Sequence, residues 1–201
     1  MTSRLAHAVL LGVLCAARVL AYYPFVHYAT TGAPFTVAPE KFDLSALPGR
    51  TVYYFVITEN PEEFPAGLLS QIRLAAKIWS GVPGTGLRLE FGGFRSSALE
   101  GATPGIDIVF QEAPAGIVAM GGPTAVTEPI ESEDGPFVPI LRSLVVVSDQ
   151  YLDGGQTHTD AFFLTLVHEL GHALGLQHTF TSGVMSTATT RATTRAKPLA
   201  L

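Results

Sequence analysis

The chain has 201 residues, 47% of them hydrophobic and only 14% charged, which suits one globular domain and excludes a disordered chain. Its 12 basic and 17 acidic side chains leave a net charge of −5 without any basic cluster, so nucleic acid is excluded as an expected partner.

Arg4 precedes an apolar run from Ala8 to Ala17, and Val19-Leu20-Ala21 offers compact residues where a signal peptidase reads. Residues 1–21 are therefore read as a secretory signal peptide cut after Ala21, which sends the protein outside the cell or into a periplasm. The competing reading is an uncleaved anchor. The run is short against the ~20 residues a membrane span needs, and Arg18 interrupts it, so no stable membrane insertion is expected. The single cysteine, Cys15, lies inside this segment. Beyond it the chain must rely on core packing or metal ions for stability, not on disulfides.

Residues 22–50 are rich in Pro, Thr and aromatics without helical periodicity, and read as an extended N-terminal arm ending at Pro48-Gly49. "TVYYFVIT" (51–58) is a β-branched and aromatic run between turn signals, hence a buried strand. "PAGLLSQIRLAAKIWS" (65–80) places Leu68, Ile72, Ala75 and Trp79 on one helical stripe, with Pro65 in the first turn and Gly81 at the end. Short strands are expected at Leu87–Phe91 and Ile106–Phe110, and two more within 125–149 around Asp134-Gly135. "TDAFFLTLVHELGHALG" (159–175) reads as a helix capped by Thr159, with Asp160 in its first turn and Gly175 as its stop. The order of strands and helices predicts an α+β domain over 51–201, a mixed sheet with helices packed on it.

That last helix carries the chemistry. "HELGHALGLQH" (168–178) sets His168 and His172 four residues apart, so both imidazoles share one helical face and can reach one ion. Glu169 stands beside the first histidine, where its carboxylate can contact water on the metal without ligating it. Gly175 readily takes the left-handed conformation that ends a helix and turns the chain back. His178 then completes a three-nitrogen set with an open position, the arrangement of a single catalytic zinc ion. An ordinary amphipathic helix is the bland reading, and it leaves the glycine and third histidine unexplained.

The motif resembles the His-Glu-x-x-His-x-x-Gly-x-x-His signature of the metzincin zinc endopeptidases, and its Gly-Leu before the third histidine resembles the matrixin branch. "SGVMS" supplies Met185 seven residues past His178, at the distance of the family's methionine turn. The resemblance implies a mostly parallel twisted sheet with a backing helix at 65–80, an active-site helix, and substrate bound along a sheet edge near 87–145. It implies His168, His172 and His178 as zinc ligands. It also implies Glu169 as the general base for a zinc-activated water that hydrolyses peptide bonds. The partner would be a protein or peptide substrate, and the enzyme is expected to act as a monomer.

Several features depart from that pattern. No cysteine follows residue 15, so a thiolate latch of the matrixin kind has no source here, and Ser186-Thr187 replaces the tyrosine or proline after the methionine. His27 and His158 stand alone and read as surface or capping residues. "ESEDG" (131–135) offers oxygen ligands for Ca2+ through Glu131, Glu133 and Asp134, but a solvated hairpin turn accounts for it better. Only Leu199 and Leu201 in the last sixteen residues exceed alanine in apolar bulk, too little to dock a helix of several turns. A truncated sequence and a dispensed-with family helix both explain this, and truncation is favoured. Two other functions compete with the endopeptidase: a catalytically silent zinc-site module for binding or adhesion, and a zinc amidase acting on cell-wall peptides.

Overall fold

A computed structural model of the chain describes residues 24–28, 34, 36–98, 103–113, 116–152, 159–179 and 183–186. The expected leader 1–21, His158 and the tail from 187 lie outside them. Seven strands form one sheet: β1 (Val26–Tyr28), β2 (Val37–Lys41), β3 (Thr51–Ile57), β4 (Arg88–Arg95), β5 (Gly105–Gln111), β6 (Ala119–Val126) and β7 (Val138–Ser148). Their order is β1-β2-β7-β5-β3-β4, with β6 also paired to β7. The β3/β4, β3/β5, β5/β7 and β2/β7 pairs are parallel, while β1/β2 and β6/β7 are antiparallel. This is the mixed, mostly parallel sheet expected of the sequence.

Two helices cover it, α1 (Ala66–Ser80) and α2 (Asp160–Ala173). Every residue of the predicted α1 stripe, Leu68, Ile72, Ala75 and Trp79, is buried. These join Val52, Tyr54 and Val56 of β3 and Phe162, Leu166, Leu170 and Ala173 of α2 in one hydrophobic cluster. Both helices thus pack on the sheet face that carries Val52, Tyr54 and Val56. The other face is more open, and Tyr53 on it is 45% exposed. β3 is therefore half-buried, not enclosed on both sides, because period-2 alternation sends its side chains to two unlike faces.

Two differences from the sequence reading matter for the site. The arm is not merely extended: β1 and β2 form an antiparallel pair, and Glu40 and Lys41 of β2 pair in parallel with Val138 and Pro139 of β7. The strand ahead of Asp134-Gly135 begins earlier than expected, at Ala119, and contains Gly121, Gly122 and Pro123. Such residues weaken strand propensity, and they read as turn punctuation unless a close backbone approach requires them. Beyond β6, Ile130 pairs with Phe137 and the Ser132 hydroxyl donates to the Gly135 carbonyl at 2.6 Å, which makes "ESEDG" a closed turn. Among the described residues, the only group of ligand atoms able to hold a metal is the set of three histidines.

Candidate metal centre

Helix α2 begins as its sequence requires. Thr159 is its N-cap, and its hydroxyl accepts from the Phe162 N–H at 3.2 Å. The helix ends in a turn where Gly175 adopts φ +97°, the left-handed conformation for which glycine was read there. The turn brings His178 back beside the two helical histidines. The Nε2 atoms of His168, His172 and His178 lie 3.0, 3.1 and 3.2 Å from one another. Zinc–imidazole bonds of ~2.0–2.1 Å at tetrahedral angles would set three nitrogens ~3.3 Å apart, so the observed triangle is within a few tenths of the required one.

The donor chemistry agrees with the spacing. His168 Nδ1 donates to the Val184 carbonyl at 2.7 Å, and His172 Nδ1 donates to the Leu176 carbonyl at 2.7 Å. A carbonyl can only accept, so each of these Nδ1 atoms carries a proton, which in a neutral ring leaves Nε2 with its lone pair towards the centre. Lone pairs converging at this distance repel unless a cation lies between them. The residues fit a metal ion, and the two carbonyls fix the rings that would hold it. His168 and His172 are buried, whereas His178 is exposed.

Glu169 is buried beside His168, where sequence placed it. Edge strand β6 runs against this part of the helix. A Cβ at Gly121 would collide with the Glu169 carbonyl, which is why the strand carries glycine there.

Met185 is fully buried, and the turn it belongs to is tightly closed. The Thr179 N–H donates to the Met185 carbonyl at 2.8 Å, and the Ser186 hydroxyl both accepts from the Gly183 N–H at 2.8 Å and donates to the Gly183 carbonyl at 2.6 Å. Ser186, which departs from the matrixin pattern, thus closes the turn that offers Val184 to His168. The sulfur of Met185 sits where a Cβ on Gly171 would have to go, and Trp79 Cζ2 would lie 2.7 Å from that Cβ. Gly171→Ala is therefore expected to destabilise. Overpacking of ~1–3 kcal/mol outweighs the ~1 kcal/mol that alanine gains over glycine within a helix. At about 2–4 °C per kcal/mol for a domain of this size, calorimetry should register a lower melting temperature. A variant that melts no lower than wild type would show that Met185 and Trp79 do not fill this space.

Residues 142–197 match peptidase family M43, pregnancy-associated plasma protein-A. This is a metzincin-type family of zinc-dependent metallopeptidases, and the match runs from β7 through α2, the three histidines and Met185. It supports a metallopeptidase-type hydrolase with a protein substrate. It covers about a quarter of the chain and carries nothing about a matrixin-like branch. Comparison with curated proteins finds no match. Among the described residues of the M43-like segment and the rest of the chain, no helix is long and apolar enough to cross a membrane.

Sequence reasoning named the three histidines that converge but missed the groups that support them. The Leu176 and Val184 carbonyls are backbone groups, for which no side chain announces a role. Ser143 was missed as well: buried on β7, its hydroxyl donates to the Ala173 carbonyl at 2.6 Å and fastens the last turn of α2 to the sheet. A serine just ahead of the apolar run Leu144–Val147 was the available signal.

Proposed function

We propose that the chain is a secreted zinc-dependent metalloendopeptidase, with residues 1–21 as its secretory signal, 22–50 as an arm and 51–201 as the catalytic domain. The observation that supports this best is the convergence of three Nε2 atoms within 3.0–3.2 Å of one another, on rings two of which are fixed by Nδ1–H donation to backbone carbonyls. In this reading His168, His172 and His178 hold the metal, and Met185 floors the site. Bound zinc supplies Lewis acidity, polarising the scissile carbonyl and making water more acidic. Glu169 takes a proton from the attacking water and returns it to the leaving amine, so no protein nucleophile is required. Because β6 lies against the Glu169 turn, an extended peptide that pairs along its edge would be carried past the base. The Gly-Leu ahead of His178 keeps the matrixin-like likeness of the motif.

A silent binding module would have no need of an acid–base residue, and the buried Glu169 beside the histidines favours the enzyme. Casein incubated with the purified protein is the direct test. We expect hydrolysis that a chelator stops and added zinc restores. Intact casein at full zinc loading would overturn the endopeptidase, and hydrolysis indifferent to the chelator would overturn the metal.

A further inference from the structure

The turn that carries the His172 acceptor is joined to a part of the chain outside the M43-like segment. The Phe25 N–H donates to the Gly175 carbonyl at 2.8 Å, and Pro24 bridges Leu176 in antiparallel fashion. On its other side the Phe25 carbonyl accepts from the Glu40 N–H at 2.7 Å, and Glu40 in turn is in register with Val138 of β7. The Gly175-Leu176 turn is thereby added to the β1/β2 pair as a short extra rung, tied through β2 to the central sheet. Gly175 is glycine for a second reason here, since a Cβ would run into the Glu40 carbonyl. Phe25 also presents its ring edge-on to the His172 imidazole, with centroids 6.1 Å apart and planes at 68°. One arm residue thus touches the metal-facing ring and bonds the turn whose next carbonyl orients that ring.

We propose that the N-terminal arm is a positioning device for the metal centre. Phe25, through the Gly175-Leu176 turn and its edge contact, holds His172 in the orientation that presents Nε2 to the ion. Phe25 is a positioning residue, not a catalytic one. The backbone partners of metal-ligating histidines typically contribute 10–100-fold to metal affinity, and a group acting one step behind such a partner contributes towards the lower end.

This inference rests on the zinc reading, and the experiment separates the two. Zinc affinity is measured by competition with a chromophoric chelator for the wild-type protein, Phe25→Ala, Phe25→Leu and the control Val37→Ala, which alters a half-exposed residue on β2. The visible spectrum of the cobalt-substituted proteins and the melting temperature of each metal-free protein are recorded alongside. We expect Phe25→Ala to bind zinc ~10-fold more weakly with an altered cobalt spectrum, Phe25→Leu to recover most of the affinity, and Val37→Ala to match wild type. If Phe25→Ala does not fold, Phe25→Val and Phe25→Leu give the same comparison in graded form. Wild-type affinity and spectrum in the folded Phe25 variants would overturn the proposal. So would a lowered metal-free melting temperature with unchanged zinc affinity, which would make the arm merely structural. Failure of the wild-type protein to take up zinc would overturn the metal reading itself.

Discussion

His172→Ala should lose the zinc ion and all hydrolysis together. The side chain is buried, its Nδ1 is committed to the Leu176 carbonyl, and its Nε2 lies 3.0 and 3.2 Å from the other two donors. Its neighbours in the chain cannot substitute for it, because Gly171 and Ala173 carry no ligand atom in their side chains. Zinc held by four ligands is bound with ~10–16 kcal/mol, so one ligand is worth roughly 3 kcal/mol, or more than 100-fold in affinity. The variant also leaves the Leu176 carbonyl without its donor, which loosens the turn leading to His178. Metal analysis after gel filtration should find about one zinc per chain in wild type and almost none in the variant. Stoichiometric zinc in His172→Ala would remove this residue from the ligand set.

The second large effect separates holding the metal from moving the proton. Glu169→Gln preserves volume and hydrogen-bonding capacity in a buried position, so α2 and the three imidazoles should stay where they are. The amide cannot accept the proton from water. General acid–base catalysis by a positioned side chain is worth ~100- to 10,000-fold, and the rate should fall by at least the lower figure while zinc content is retained. Cleavage at the wild-type rate would eliminate Glu169 as the base. Loss of zinc together with activity would place it in a structural role instead.

The cluster of three imidazoles was legible in the sequence because its main constraints are side-chain identities at fixed spacing. The four-position step from His168 to His172 is about one helical turn, and Gly175 is the residue type that a left-handed helix stop selects. Helix α1 was legible for a similar reason: Leu68, Ile72, Ala75 and Trp79 repeat at a period that only one backbone conformation turns to a single face. What escaped depends on backbone atoms or on distant partners. Gly121 of β6 resembles a turn residue until the Glu169 carbonyl is seen to need that space, and Gly171 resembles a weak helix former until Met185 and Trp79 are in place. The pairing of β1 and β2 with the rest of the sheet joins residues nearly one hundred positions apart, and a short strand of three residues carries too few side chains to show alternation.

Trp79, the only tryptophan of the 201 residues, donates its indole N–H to the Val167 carbonyl at 2.8 Å, one residue before the first histidine of the motif. Indole emission depends on the polarity and hydrogen bonding around the ring, and this ring is almost wholly enclosed against the helix that carries the histidine motif. The chain therefore has a built-in optical reporter behind its three-histidine cluster, with no second tryptophan among these residues to dilute the signal. Any event that shifts α2 against α1 acts directly on the fluorophore's one hydrogen bond, so it can be followed in real time without attaching a dye.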